Sequence, residues 1–280
     1  MKNSEKTTAE DKPQIHVSML TMFAKCPIQF QRRYGARFGI WPQEEIIPPG
    51  IALIQGSVVH KIAEQNLNNK IDEGILMSDE QIADITKDEF ELNWGQEIML
   101  TEEESENVAK TKGEALDMTL MLSTLHHVAL APILEPLAVE EKFVIVLDDF
   151  PFDIAGTKDV REKDSIRDLK TAKQSPTIHA PRSLQMAMYS LSEKIERGSL
   201  PEKVCIDALV KTKVPKLVTQ SIVPDDKMIK PVLNRLEAFA EIIENVRKTG
   251  VTLPAATPDH WVCTKKFCGY ALSCPYWSGI

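Results

Sequence analysis

Five short stretches in the second half of the chain alternate apolar and polar residues, which is the pattern of β-strands. They cover residues 139–147, 152–160, 165–171, 203–211 and 217–223. The charged segment Arg161-Glu-Lys-Asp164 predicts a tight reversal between the second and third stretches. These two strands should form a hairpin and, with the strand before them, an antiparallel meander. The sequence therefore predicts a sheet of about five strands.

Apolar residues at helical spacing predict the remaining elements. Ser18 is a candidate N-cap for a first helix that runs to Tyr34 and is interrupted at Pro27. Pro181 is expected in the first turn of a helix that ends near Lys194. Other helices are predicted over about 51–69, 78–106, 107–130 and 226–248.

These elements predict an α/β (α+β) fold, with a mixed central sheet flanked by helices. The polar residues 1–13 are expected to be a disordered tail. Residues 14–280 are expected to be one domain, with a helical insertion at about 72–130, a core at about 139–225 and a cysteine-bearing region at about 255–280.

The length and polarity of the segments limit the class of protein. No apolar run approaches the length of a membrane span, and the first residues are too polar for a secretory signal, so we expect a cytoplasmic protein. The chain has no Gly-x4-Gly-Lys-Ser/Thr loop, which argues against an ATP-driven motor within it.

The net charge of -8 is unevenly distributed. Residues 72–106 contain thirteen Asp and Glu against one Lys, a net of -12, which leaves +4 on the rest of the chain. The basic residues there form local groups, which either bind phosphate or serve only solubility. The groups are Arg32, Arg33 and Arg37; Lys170, Lys173 and Arg182; Lys211, Lys213 and Lys216; Lys265 and Lys266.

The hairpin contains the residues most suited to chemistry. Strand side chains alternate between faces, so Asp168 and Lys170 point the same way while Leu169 points into the core. An antiparallel partner can bring Asp159 beside them. Two crowded carboxylates repel unless a cation lies between them, and a divalent metal is the usual solution. The alternative is an exposed, solvated Asp168–Lys170 pair.

Two helices carry further candidates. His60 lies four residues after Gly56, which lets its helix approach the sheet closely; a lone helical histidine is otherwise structural. Gln185 and Tyr189 are spaced i, i+4 and share a helix face. They are either functional residues or a packed polar pair.

The five cysteines are an odd number in a chain without an export signal, so metal or cluster ligation is favoured over disulfides. Cys26, Cys263, Cys268 and Cys274 suit an iron-sulfur cluster or a tetrahedral zinc. Cys205 lies in a predicted strand, where we expect a buried apolar residue.

The order of these residues resembles the PD-(D/E)XK nuclease superfamily, in particular its RecB-like branch. The order is His60, Asp159, Asp168-Leu-Lys170 and then Gln185-x3-Tyr189. The two ends of the chain are similar to the iron-sulfur members, which include the AddB-type and CRISPR-adaptation nucleases. The motifs there are Ser18-Met-Leu-x2-Phe23-x2-Cys26-Pro27-x2-Phe30-x3-Tyr34 and Cys263-x4-Cys268-x5-Cys274-Pro275.

The resemblance implies a restriction-endonuclease-like core and a Mg²⁺ or Mn²⁺ site. Asp159 and Asp168 would bridge the metal, with His60 and the Leu169 carbonyl as further ligands. Lys170 would orient the nucleophile. The DNA-binding residues would be Gln185, Tyr189, Lys173 and Arg182.

The resemblance also implies a 4Fe-4S cluster held by Cys26, Cys263, Cys268 and Cys274, with zinc as the alternative. Two features depart from the family's pattern. Four residues, rather than two, separate Cys263 from Cys268. The glutamate that often precedes the hairpin has two candidates, Glu140 and Glu141; Glu140 is favoured, and both are left out of the metal shell.

The sequence thus predicts a metal-dependent DNA exonuclease that acts on single strands or duplex ends and carries a structural iron-sulfur cluster. A non-catalytic DNA-binding subunit that serves a helicase or recombination partner is the main alternative. A zinc-dependent protein-interaction module would explain the cysteines but leaves the hairpin unexplained. The oligomeric state stays open.

Overall fold

A computed structural model describes residues 12–42, 46–147, 150–174, 183–257, 259–265 and 267–277. The strands within these residues are β1 (Gln14–Ile15), β2 (Ala138–Ile145), β3 (Asp153–Arg161), β4 (Ser165–Ala172), β5 (Lys203–Val210) and β6 (Lys216–Ile222). The α-helices are α1 (Val17–Lys25), α2 (Pro27–Tyr34), α3 (Ile51–Glu73), α4 (Asp79–Trp94), α5 (Glu102–Glu106), α6 (Val108–Leu125), α7 (Leu184–Arg197) and α8 (Asp226–Thr249).

The strands form one mixed sheet in the order β1-β3-β4-β5-β6, and β2 also pairs with β3. The predicted hairpin is present, since β3 and β4 are antiparallel with Val160 opposite Arg167. β4 and β5 are parallel, from the Ser165–Lys203 pair to the last pair, Ala172–Val210. The α/β class with a mixed, helix-flanked sheet is confirmed, although the sheet has six strands rather than about five. The missed strand, β1, has two residues, too few to show alternation.

Two helix predictions are corrected at their ends. Pro27 separates α1 from α2 as expected, but α1 begins at Val17 with His16 as its N-cap, so Ser18 lies inside the helix. The helix predicted over 78–106 is two helices, because α4 ends at Trp94, with Gly95 as its C-cap, and Thr101 caps α5 through a capping box. Pro181 lies outside the described residues, and the helix after it begins at Leu184.

The Cα positions divide the chain into two compact units. One comprises Met1–Ile47, Phe143–Gly156 and Asp226–Ile280, and the other comprises Pro48–Lys142 and Thr157–Asp225. The boundaries fall inside β2 and β3, so each of these strands contributes to both units. The single domain expected over 14–280 stays a prediction.

The first unit is built around aromatic side chains. Rings from α1, α2, α8 and the approach to β3 meet edge to face or tilted, with Phe23 5.0 Å and Phe30 5.3 Å from the centroid of Phe239. Such pairs add about 0.5–1.5 kcal/mol each beyond the burial of their area. The rings therefore hold α1 and α2, which carry the first cysteine between them, against α8.

The second unit packs α3 against one face of the sheet. Val59, Ala63 and Leu67 on α3 meet Leu169 and Leu209 of the strands in one buried apolar cluster. Gly56 allows the close approach that the sequence predicts, because a Cβ there would lie 3.3 Å from Thr171 Oγ1. None of the described helices combines the length and the apolar composition that crossing a membrane requires.

A fully buried lysine connects β3 to α7. Lys158 has no exposed surface, and its Nζ lies 2.7 Å from Glu193 Oε1 and 2.9 Å from Glu196 Oε2. Glu141 of β2 lies 3.7 Å from the same ammonium. Because a buried charge without partners is very unfavourable, this group of charges holds β2, β3 and α7 in one arrangement.

We expect Lys158→Met to lower the free energy of unfolding by about 3 kcal/mol, because Glu141, Glu193 and Glu196 lose the cation that they share. Urea denaturation followed by circular dichroism would measure the change. Lys163→Met, at an exposed turn position, is the matched control and should change stability by less than about 0.5 kcal/mol. Equal midpoints for the two variants would contradict the prediction.

Candidate functional site

Three potential metal ligands converge in the second unit. His60 of α3, Glu140 of β2 and Asp159 of β3 each offer a ligand atom, and these atoms lie within 4.8 Å of one another. His60 Nδ1 is 3.8 Å from Glu140 Oε1 and 3.7 Å from Asp159 Oδ2. The three residues line a cavity of about 310 Å³.

The predicted hairpin pair lies next to this group. Lys170 Nζ is 2.8 Å from Asp168 Oδ1, so the two side chains share a strand face. The Leu169 N–H donates to Asp159 Oδ2 at 2.7 Å, which ties the Asp159 carboxylate to β4. The Leu169 side chain is buried in the core, as its alternation with Asp168 requires.

The two aspartates are electrostatically strained. Burial, and then the negative charge of Asp168, raise the pKa of Asp159 to about 7. Burial also raises the pKa of Asp168, although the Lys170 ammonium opposes the shift. Both carboxylates can be ionised together only if positive charge is supplied between them.

The donor set fits a divalent cation. Asp168 is 1% exposed, and its Oδ2 is buried without a hydrogen-bond partner among the described residues. An unpaired buried carboxylate oxygen is costly unless a ligand uses it. Carboxylate oxygens with one imidazole suit Mg²⁺ or Mn²⁺. The side chains of His60, Glu140 and Asp159 can therefore hold such an ion, and Asp168 is not part of that group of three.

Glu140 was left out of the predicted metal shell, yet it lies in this group of potential ligands. Its backbone has φ of 50°, the left-handed region that a glutamate rarely adopts. The next residue, Glu141, turns away and accepts a hydrogen bond from Arg161 Nε at 2.8 Å. The sequence offered both glutamates, and alternation alone could not choose between them.

The charge state of His60 follows from its neighbours. Burial disfavours the protonated ring, but Glu140 and Asp159 outweigh burial, so the pKa of His60 is raised. Without a cation, the ring partly neutralises the carboxylates. A bound cation would take over that role, and the imidazole would have to be neutral to act as a ligand.

A second histidine, missed by the sequence reasoning, lines the same cavity. His126 is 2% exposed and lies in a π-helical turn, His126–Leu130, that follows α6. Burial, followed by repulsion from His60, lowers the pKa of His126 to about 3, so its ring is neutral. No pattern in the sequence distinguishes it from the adjacent His127.

Gln185 and Tyr189 share a face of α7, and their contacts favour a buttressing role over a DNA contact. Gln185 Nε2 donates to the Tyr189 hydroxyl at 2.7 Å, and that hydroxyl donates to the Thr157 carbonyl at 2.5 Å. Tyr189 is 3% exposed. Its hydroxyl therefore fixes β3 two residues before Asp159.

The structure describes only one of the two basic residues that were predicted to contact DNA. Lys173 is exposed just after the end of β4. Arg182 lies outside the described residues. The ligand role of the Leu169 carbonyl stays a prediction.

Four cysteines line a second cavity, of about 430 Å³, in the first unit. They are Cys26, Cys263, Cys268 and Cys274. Burial, followed by repulsion from Cys274 and Cys26, raises the pKa of Cys263. Among the described residues, no three thiol sulfurs lie within 4.8 Å of one another. Cys205 is 1% exposed in β5, as expected of an apolar core residue.

Comparisons with known proteins give a family. A profile of the PD-(D/E)XK nuclease superfamily matches residues 14–277. A search of curated proteins found no match. A proposed exonuclease from Eubacterium rectale has a structure that aligns with a TM-score of 0.54 at 16% identity, covering 90% of each chain. This likeness shows the fold alone.

A further solved structure, that of SSO0001, aligns over 78% of this chain and 85% of its own at 15% identity. Its TM-score of 0.33 is too low to carry an argument.

The raised pKa of Asp159 predicts a pH-dependent stability in the presence of a chelator. Below pH about 3.9 the Asp159 carboxyl is protonated in both the folded and the unfolded protein. Between pH about 3.9 and pH about 7 it loses its proton in the unfolded chain but keeps it in the folded one. Stability is therefore lost as the pH rises. We expect Asp159→Asn to be more stable than the native protein at pH 8, by up to about 4 kcal/mol, and equally stable near pH 4.

Urea denaturation in EDTA at the two pH values would measure this difference. Asp164→Asn, at an exposed turn position, is the control. Saturating Mn²⁺ should reverse the order at pH 8, because only the native side chain provides a charged ligand. A pH-independent difference would contradict the burial argument.

Proposed function

Because the chain belongs to the PD-(D/E)XK nuclease superfamily, we propose that it is a metal-dependent deoxyribonuclease, an exonuclease that acts on single-stranded DNA or DNA ends. The observation that carries this proposal is the pair of largely buried carboxylates, Asp159 and Asp168, with one oxygen of Asp168 left without a hydrogen-bond partner among the described residues. The exonuclease activity proposed for the Eubacterium rectale protein agrees with it.

His60, Glu140, Asp159 and Asp168 would hold one or two Mg²⁺ or Mn²⁺ ions, with the Leu169 carbonyl as a further ligand. A bound ion supplies a lowered pKa for an attacking water and neutralises charge on the scissile phosphate. The carboxylates would fix the position of the ion because they are held themselves, Asp159 by the Leu169 N–H and Asp168 by Lys170.

Lys170 is the residue that would face the substrate. Its side chain is 44% exposed, whereas Asp168 beside it is buried. One ammonium proton is used on Asp168 Oδ1, which leaves two for a water and a phosphate oxygen. The ammonium would orient the attacking water and stabilise the negative charge that grows on the phosphate.

Tyr189 and Gln185 would act as positioning residues. The hydrogen bond from the Tyr189 hydroxyl to Thr157 holds the strand that carries Asp159, and Gln185 fixes the hydroxyl. On the same strand Lys158 is held by Glu193 of α7. The catalytic segment of β3 is thus fixed from α7 at two points.

The four cysteines that line one cavity would hold a 4Fe-4S cluster. The Ala256 N–H points to Cys26 Sγ at 3.4 Å, and hydrogen bonds to sulfur are a feature of cluster sites. The cluster would connect α1 and α2 to the C-terminal segment of the first unit.

The nuclease proposal is tested by incubating the full chain with end-labelled single-stranded, duplex and circular DNA in Mg²⁺, Mn²⁺ or EDTA. We expect metal-dependent release of nucleotides from ends, and no cleavage of circles. Asp168→Asn and Lys170→Met should each lower the rate by more than about 100-fold, because they remove a metal ligand and a transition-state contact. Asp164→Asn should retain native activity. Native rates in a folded Asp168→Asn protein would refute the site.

The cluster predicts a colour. Protein purified without oxygen should be brown, with an absorbance shoulder near about 400 nm and bound iron. Cys26→Ser should remove both the colour and several kcal/mol of stability, since binding free energy at a structural site is folding free energy. Cys205→Ser, which changes a cysteine of the sheet, should keep the colour. Colourless protein that contains stoichiometric zinc and no iron would contradict the cluster and assign zinc to the site.

A further inference from the structure

Two lysines lie side by side where β4 and β5 end. The parallel pairing of these strands runs to the Ala172–Val210 pair, and the Lys211 N–H then donates to the Ala172 carbonyl at 2.7 Å. Lys173 and Lys211 therefore follow the last pair together. Parallel strands end at the same edge of a sheet, so both ammonium groups belong to one small region.

The Lys211 side chain is held in place by a buried amide. Its Nζ lies 2.9 Å from Gln55 Oε1, and Gln55 is 6% exposed. Gln55 is fixed in turn, because its Nε2 donates to the Ala115 carbonyl at 3.0 Å. A neutral amide oxygen orients the ammonium without neutralising it. Two of the three ammonium protons of Lys211 are left for another acceptor.

Within the described residues, neither Lys173 nor Lys211 forms an ion pair with a carboxylate. Burial, and then repulsion from Lys173, lower the pKa of Lys211 to about 8. Elsewhere in this unit, half-buried cations such as Arg161 and Arg167 have acidic partners at 2.8 Å. Two crowded cations that lack an acid form a place where an anion would be stabilised.

The location connects this pair of lysines with the proposed active site. Gln55 lies on α3 five residues before His60, which is about 7.5 Å along the helix axis. A Cβ on Gly56, between them, would lie 3.3 Å from Thr171 Oγ1 of β4.

We propose that Lys173 and Lys211, with Gln55 as a positioning residue, form a phosphate-binding subsite for a backbone phosphate near the one that is cleaved. The inference rests on the proposed function for the nature of the ligand. Lysine acts at such a site as a point charge with rotatable donors, so the contact is independent of base sequence. The subsite would hold the DNA strand in register with Lys170.

Binding of a fluorescein-labelled single-stranded oligonucleotide in EDTA, followed by anisotropy at several salt concentrations, tests the subsite without catalysis. We expect Lys211→Met to weaken binding about tenfold. The slope of log K against log salt should fall by about 0.7, the value for one phosphate contact on a single strand. Lys213→Met, two residues away and exposed, is the control and should leave both quantities near native.

Lys173→Met repeats the test at an exposed position where folding is not at risk. We expect the same loss of affinity and slope as for Lys211→Met. Gln55→Leu should weaken binding and leave the slope nearly native, because the charge stays while its orientation is lost. Affinities equal to that of Lys213→Met in both lysine variants would overturn the proposal.

Trace acetylation with mass spectrometry at pH 8 gives a second measurement on the native protein. Lys211 should be protected by the oligonucleotide, with Lys213 as the internal reference. Protection by inorganic phosphate as well would support a general phosphate site, and protection by the oligonucleotide alone a site for the strand. Equal reactivity of both lysines with and without oligonucleotide would refute the subsite.

The subsite and the nuclease proposal can fail separately. Metal-dependent cleavage, together with native oligonucleotide binding by Lys211→Met and Lys173→Met, would support the nuclease proposal and refute the subsite. If no DNA substrate is cleaved but both variants bind the oligonucleotide more weakly, the nuclease proposal is refuted and the phosphate-binding site is supported.

Discussion

The repulsion between two carboxylates, Asp159 and Asp168, is the constraint on which this structure depends. Both are placed by the β3–β4 hairpin, both are largely buried, and each has its ordinary ionisation disfavoured. A fold does not keep such a pair without supports. The Leu169 N–H, the Lys170 ammonium and the His60 ring each reduce the repulsion from a different direction.

The same constraint explains why β3 is held so firmly from α7. If the strand could slide or twist, the carboxylates would separate and reach water. The Lys158 ion pairs and the Tyr189 hydroxyl oppose such movement through their contacts between β3 and α7. The left-handed backbone at Glu140 adds local strain on the neighbouring strand, which the surrounding contacts must hold. Strain and buried charge at one place are typical of a site that is organised for a ligand.

The sequence predicted much of this arrangement because the relevant signals are local. Alternation placed β2 to β6 within a few residues of their observed ends, and Gly56 indicated the close approach of α3 to the sheet. The parts that it missed depend on contacts between distant segments. Two residues of β1 show no period, the choice of Glu140 over Glu141 depends on one backbone angle, and His126 is brought to the cavity by a π-helical turn. The break between α4 and α5 was visible in Thr101 and Glu104, a capping box that the acidic composition concealed.

The parallel pairing of β4 with β5 has a consequence for biosynthesis. The two strands are separated in the chain by α7, so the edge that carries Lys170, Lys173 and Lys211 forms only after residue 211 has left the ribosome. His60, Asp159 and Asp168 are all synthesised earlier, but β4, the strand that carries Asp168, lacks its β5 neighbour until that pairing occurs. A nascent chain therefore contains the proposed metal ligands before it contains the complete sheet that surrounds them.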